Sequence, residues 1–292
     1  MKRVHLANGV ELDVIDEGPS DAPALIFLHG FPESHRTWRH QISHFSGRYR
    51  CVAPDQRGYR GSSKPADVCS YAPEHLVGDV FQLADALGVG NFTVLGHDWG
   101  GAIAWGVAAF GQFTGRVSRA VIANAPHPAR FQQLLWTDPA QRAASQYIRT
   151  FCDTSGDSEV RADGLTAMLR RAIPPEALTI GMEPEIRDAQ FADWADGEAA
   201  LAMLNWYRAS TIQVPGTEAT FKADAQAIPF PAITIPVLVI WGMADFALLP
   251  GNVDALGPYA PNHTIAQLEG VGHFSPWQAP DAVTQAIAAF LR

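Results

Sequence analysis

The sequence is poor in the features that mark several large classes of protein. It has three cysteines in 292 residues, Cys51, Cys69 and Cys152. The number is odd and no pair has CxxC spacing, which argues against both a disulfide framework and a zinc site. Such thiols read as idle groups in a reducing compartment. No stretch approaches the roughly 18 apolar residues of a membrane span. The opening MKRVHLANGVELDVIDEG has two basic residues but no apolar core of seven or more, so it does not read as a signal peptide. Positive charge is in deficit, with 21 Lys and Arg against 30 Asp and Glu and a net charge of −9. A surface of that sign repels phosphate backbones and anionic lipid. Neither a repeat nor a low-complexity segment stands out beyond mild Ala richness near the C-terminus. These absences lead us to expect a cytoplasmic protein with neither nucleic acid nor membrane as a partner.

What is abundant is core-forming material. Apolar residues make up 47% and charged residues 17%, with 15 Phe and 8 Trp, which excludes disorder as the main state. Five short runs dense in Val, Ile, Leu and Phe punctuate the chain: ALIFLHG (24–30), RCVAPD (50–55), NFTVLGH (91–97), RAVIAN (119–124) and PVLVIWG (236–242). They lack polar alternation, as strands buried on both faces should. VELDVIDEG at 10–18 does alternate, and reads as an antiparallel edge strand. Helical periods such as EHLVGDVFQLADALG (74–88) and AIAWGVAAFG (102–111) lie between the runs. Alternation of this kind predicts an α/β protein with a mostly parallel sheet flanked by helices. From about 130 to 230 the strand runs stop and helix-like sequence takes over, broken at IPPE (173–176), GMEPE (181–185) and VPG (214–216). Strand signals resume at 236, so we expect a core of 1–129 and 231–292 with an inserted α-helical cap at 130–230.

The most informative string is VLGHDWGGAIAW at 94–105, a buried run, a small-x-Asp-x-small turn and a helical segment. It has the shape of the nucleophile elbow of the α/β-hydrolase fold. Gly96 and Gly100 frame the turn because a side chain at either would strike neighbouring backbone. Asp98 then stands where that fold places its nucleophile. An Asp is also a common helix N-cap, but two framing glycines after a buried strand favour the catalytic reading. Partners follow in the required order, nucleophile, acid, His: Asp245 in the loop after PVLVIWG, and His273 in the Gly-rich LEGVGHFSPWQAPD. The loop HGFPES (29–34) follows ALIFL. There the fold takes one oxyanion donor, here the Phe31 amide, and its second from the residue after the nucleophile, here Trp99. His29 reads as either a turn residue or a supporting hydrogen-bonding group.

Taken together, HGFPES, APDQRGYRGSSKP, GHDWGG, NAPHP, LNWYRAS, WGMADF and GHFSPWQAP resemble the epoxide hydrolases of the α/β-hydrolase fold, in the right order and across nearly the whole chain. The resemblance implies that Tyr207, in MLNWYRAS, is one of the family's two ring-opening tyrosines. Tyr147, in SQYIRTF, resembles the other, with Phe151 four residues on as in the family. Arg60 is a departure, since the family usually has a small residue there. It bears on the local turn.

The identity of the nucleophile narrows the substrate on physical grounds. A carboxylate attacking an ester would form an anhydride that readily reverts, whereas on saturated carbon it leaves a stable alkyl ester. The leaving group is then an epoxide oxygen or a halide. An alkoxide, whose conjugate acid resembles water with a pKa of about 15.7, needs a proton donor. Phenols, with a pKa near 10, are protonated at neutral pH and can supply it. A halide needs only hydrogen bonds, which the Trp99 indole offers as in haloalkane dehalogenases. Those enzymes usually carry Asn where this chain has Phe31, and fluoroacetate dehalogenases carry Arg where it has Trp99. Both departures point to epoxides. A dehalogenase remains the alternative enzyme, and a catalytically silent ligand receptor the alternative of another class. Trp136, Met168, Trp194 and Trp206 suggest an apolar pocket, although core packing explains each equally well. No metal or organic cofactor is implied. The expected partners are a small apolar epoxide and water, and the expected state is a monomer or homodimer.

Overall fold

In the computed structural model, which describes residues 1–174, 177–220 and 229–292, eight strands join in one sheet. They are β1 (Lys2–His5), β2 (Glu11–Glu17), β3 (Ala24–Leu28), β4 (Arg50–Asp55), β5 (Phe92–His97), β6 (Val117–Ala123), β7 (Val237–Gly242) and β8 (His263–Leu268). Their order is β1-β2-β4-β3-β5-β6-β7-β8, antiparallel at β1/β2 and β2/β4 and parallel from β4 to β8. One row of register runs Val52, Ile26, Val94, Ala120, Val237, His263. The expectation for β2 needs correcting at the edge: it is antiparallel, but β1 covers it and is itself the outer strand.

Helices α1 (Arg39–Phe45), α2 (Pro73–Ala86) and α3 (Asp98–Gly111) precede β6. Between β6 and β7 come α4 (Pro128–Thr137), α5 (Pro139–Ala144), α6 (Gln146–Cys152), α7 (Asp157–Asp163), α8 (Thr166–Ala172), α9 (Pro184–Trp194) and α10 (Gly197–Arg208). The chain closes with α11 (Ser275–Gln278) and α12 (Pro280–Phe290). Pro175 and Glu176 of the IPPE break, and 221–228 near the end of the expected cap, lie outside the described residues.

Period-two alternation sorts the strand side chains into two cores. Ile26, Leu28, Val94, Ile122 and Val239 face the side covered by α2 and α3. Leu25, Phe27, Leu95, Val121 and Ile240 face the side covered by α1 and α12. Apolar packing on both faces explains why these strands read as unbroken hydrophobic runs. In α2 Pro73 takes the first helical position, and Leu76, Val80, Leu83 and Ala84 recur at helical spacing on the buried face. α3 lies deeper, with Ile103, Ala104, Trp105, Val107 and Ala108 all buried. No helix among the described residues is long and apolar enough to cross a membrane.

Candidate active site

Strand β5 ends at His97, still extended, and α3 starts at Asp98 with φ at +49°. A left-handed residue other than Gly is uncommon and persists where its surroundings impose it. Here the imposition is close backbone contact. A Cβ on Gly96 would lie 2.2 Å from the Gly100 carbonyl oxygen, and one on Gly100 would lie 2.3 Å from that of Leu28. The turn is therefore as tight as the sequence required, and Asp98 sits at the C-terminal edge of the sheet.

Loops from three other strands converge there. The Phe31 N–H, three residues past β3, donates to Asp98 Oδ1 at 2.7 Å. His273 places Nε2 3.4 Å from Asp98 Oδ2 and Nδ1 2.8 Å from Asp245 Oδ2. Asp245, in the loop after β7, is itself fixed: Oδ1 accepts the Ala247 and Leu248 amides at 2.9 Å, and Oδ2 also accepts Asn124 Nδ2 at 2.8 Å. Trp99 is the second residue of α3, in the first turn where amides have no intrahelical acceptor.

Tyr147 on α6 and Tyr207 on α10 share one cavity with Asp98 and Trp99, of about 50 Å³, walled by Phe131, Ile148 and Leu248 among others. Their ring centroids are 6.3 Å apart, and Tyr207 stands perpendicular to Trp99 and to Phe31, each at 5.0 Å. The structure thus brings Asp98, Asp245, His273, Phe31, Trp99, Tyr147 and Tyr207 together. It does not bring the four other candidates to that cavity. Trp194 and Trp206 instead donate their indole N–H groups to the Pro32 and Arg57 carbonyls at 2.7 and 2.9 Å, and Trp136 and Met168 are not among the lining residues. Read from sequence, a Trp gives its apolar area but not the direction of its N–H.

Burial opposes charge on the Asp98 carboxyl, but the hydrogen bond and charge of His273 outweigh it and hold its pKa below the usual carboxylate value. Burial likewise opposes the His273 imidazolium, and the carboxylates of Asp245 and Asp98 hold its pKa well above the usual histidine value. Both phenols are pushed well above 10 by burial first and then by the Asp98 charge; at Tyr207 the Trp99 indole works in the opposite direction. They stay protonated across the physiological range.

Several functional neighbours carried no readable signal. Asn124, at φ +41° just past β6, bridges Asp245 to the β7 end by accepting the Gly242 amide at 3.1 Å. Its only mark was its place in NAPHP, directly after a buried strand. His97 donates from Nε2 to the His273 carbonyl at 2.8 Å and meets Glu33 Oε2 through Nδ1 at 2.8 Å. Glu33 Oε2 in turn accepts the Gly30 amide at 2.5 Å. Both residues stand inside GHDWGG and HGFPES, where their types fit many roles. His29 proves to be a supporting group: Nε2 accepts the Gln56 amide at 3.0 Å, so Nδ1 carries the proton and donates to the Gly30 carbonyl at 2.9 Å. At the Arg60 departure the turn holds, in a left-handed conformation at φ +49°, with the guanidinium bonded to Asp55 at 2.9 Å and to Asp193 at 2.7 Å.

Doubly covered sheet, strand-to-helix elbow and carboxylate–His–carboxylate geometry define a class, and residues 23–280 match the family described as the α/β hydrolase fold. The chain belongs to that family. Its relatives within it include Epoxide hydrolase 1 of Caenorhabditis elegans, 30% identical over 97% of this chain and 68% of the relative. A solved structure described among novel epoxide hydrolases of this superfamily from metagenomes of hot environments is 58% identical, with a TM-score of 0.95 over 100% of this chain and 98% of the other. A single-residue mutant of a Bacillus megaterium epoxide hydrolase, complexed with its product (R)-3-[1]naphthyloxy-propane-1,2-diol, is 30% identical, with a TM-score of 0.87 over 99% of each chain.

Proposed function

We propose that this protein is an epoxide hydrolase that converts small apolar epoxides to vicinal diols. The observation that carries the reading is the shared cavity, lined by two protonated phenols and by the partly buried Asp98 carboxylate, which is backed by the His273–Asp245 pair. Asp98 attacks a ring carbon, the C–O bond breaks, and a Tyr147 or Tyr207 proton passes to the departing oxygen. The product of this half is a β-hydroxyalkyl ester of Asp98.

Esterification removes one of the two negative charges that hold His273 protonated. Its pKa therefore falls, its proton is free to restore the phenol, and the neutral imidazole becomes the base that the second half needs. His273, oriented by Asp245, takes a proton from water as the hydroxide adds to the Asp98 ester carbonyl. The Phe31 and Trp99 amides hold the oxyanion until it collapses and releases the diol. No cofactor enters these steps.

The insertion at 130–230 acts in this reading as a cap that supplies both phenols. The cavity of about 50 Å³ adjoins a second of about 690 Å³ that shares Trp99, Ala102, Pro128 and Ile212 with it, and the larger one is within the roughly 300–1,000 Å³ of ligand pockets. The naphthyloxy diol held by the Bacillus megaterium relative supports aryl glycidyl ethers as a first substrate class to try. The reading also keeps a cytoplasmic setting, with Cys51, Cys69 and Cys152 free, and a monomer or homodimer.

His273→Gln tests the division of labour. Incubated with an aryl epoxide, that variant should gain the mass of one substrate on the peptide containing Asp98 and release no diol. An unmodified His273→Gln protein, with a substrate the native protein turns over, would contradict the proposal.

A further inference from the structure

Helix α9 is tied to the loop that follows β3 by three of its side chains. Gln190, Asp193 and Trp194 lie three and four residues apart on this helix, and so share a face. Gln190 Nε2 and Trp194 Nε1 both donate to the Pro32 carbonyl, the latter at 2.7 Å, and both side chains are buried. Asp193 accepts Arg36 Nη1 from the same loop at 2.6 Å and Arg60 Nη1 from the turn after β4 at 2.7 Å. A small residue in place of Arg60 would have no reach to Asp193, so that second tether belongs to this chain's departure from the family pattern.

A carbonyl oxygen offers two lone pairs, and α9 occupies the Pro32 carbonyl with two donors. One residue earlier, the Phe31 N–H points to Asp98 Oδ1 at 2.7 Å. Holding the Pro32 carbonyl therefore anchors the chain two peptide units from the Phe31 N–H, and the Pro32 ring, which fixes φ, limits how far the segment between them can give. We infer that Gln190 and Trp194 are positioning residues that set the Phe31 amide for hydrolysis of the Asp98 ester, an inference that rests on the hydrolase reading above.

The two halves of the reaction should feel this restraint differently. During ester formation negative charge leaves Asp98, so the Phe31 hydrogen bond weakens and its alignment matters little. During hydrolysis charge returns to that oxygen as an oxyanion, and a misplaced donor no longer stabilises it. Loosening the clamp should slow hydrolysis selectively, and the ester should accumulate.

Gln190→Met and Trp194→Phe remove one donor each while keeping most of the side-chain volume. Rapid-quench mass spectrometry with styrene oxide reads the alkylated fraction at steady state and both rate constants. We expect alkylation to change little in either variant and hydrolysis to fall on the order of 10-fold to 10²-fold, the scale of a displaced catalytic group. Folding is followed by thermal melting, and if Trp194→Phe does not fold, Gln190→Met decides alone. Folded variants that hydrolyse the ester at the native rate, whatever their melting temperature, overturn the inference. Native protein that never carries an ester on Asp98 overturns instead the hydrolase reading, and the catalytic role of the clamp with it.

Discussion

At the scale of single residues, the site was legible where chemistry demands one residue type at one place. Asp98 between two glycines, Asp245 after a buried strand and His273 in a Gly-rich loop carry order and context together. His97, Glu33 and Asn124 carry neither, because a buried His, Glu or Asn takes its role from partners that are distant in sequence: Glu33 and His97 are 64 positions apart, and Asn124 and Asp245 are 121 apart. The two tyrosines fall between these cases, found by motif but placed by packing. Their shared cavity yields a test of the leaving group. Tyr147→Phe and Tyr207→Phe should each slow epoxide opening by roughly 10²–10⁴-fold at most, the usual range for a lost general acid, and the double variant should be far worse. Alkyl halide turnover, if there is any, should be indifferent to both changes, because no alkoxide forms. A folded double variant with native epoxide activity, measured as diol formation, would remove the tyrosines from the proton-donor role, and native protein that releases halide but forms no diol would move the reading to a dehalogenase.

Elements were legible in proportion to their burial. β3, β5 and β7 are buried along their whole length and read as apolar runs. β8, HTIAQL, has no fully buried residue, and three of the four β1 residues are exposed, so neither edge strand shows the density that marked the others. The elbow was legible for a different reason: steric exclusion leaves glycine as the only residue that fits. The Gly100 Cβ position lies 2.3 Å from the carbonyl oxygen of Leu28, the last residue of β3, and 2.4 Å from that of His29 just past it, and both are backbone atoms that cannot swing aside as a side chain would. Gly100→Ala should therefore push the start of α3 away from the loop bearing Phe31. We expect a loss of about 1–3 kcal/mol, as for other overpacked sites, a lower melting temperature and little diol formation. Gly47→Ala, where nothing lies within 4 Å of the added carbon, is the control and should melt and turn over like the native protein.

On the scale of the whole molecule, stability in acid follows from how the fold treats its buried histidines. His127 stacks on Tyr259 at 4.4 Å, meets Phe230 and Trp105 edge-on, and has no hydrogen-bond partner on either ring nitrogen among the described residues. Burial pushes its pKa down to about 3. Between that value and the unfolded value near 6.5, the unfolded chain binds a proton that the folded one refuses. The unfolded state then holds more protons, so stability rises with pH across this window and is lost as pH falls, by up to roughly 1.4 kcal/mol per unit from this group. Asp98 acts in the same direction but later: its depressed pKa contributes stability that is present above the unfolded carboxylate value and lost as pH falls through the lower folded one. The first decline, from about 6.5 downward, therefore belongs to His127 together with His29 and His40, whose pKa values burial also lowers. His127→Phe keeps a flat aromatic against Tyr259 and removes the titration. Altered packing would offset its melting temperature equally at every pH, so the comparison is the change in melting temperature between pH 8 and pH 5. That change should be clearly smaller in His127→Phe than in the native protein, and equal changes would show that another group governs the acid limb.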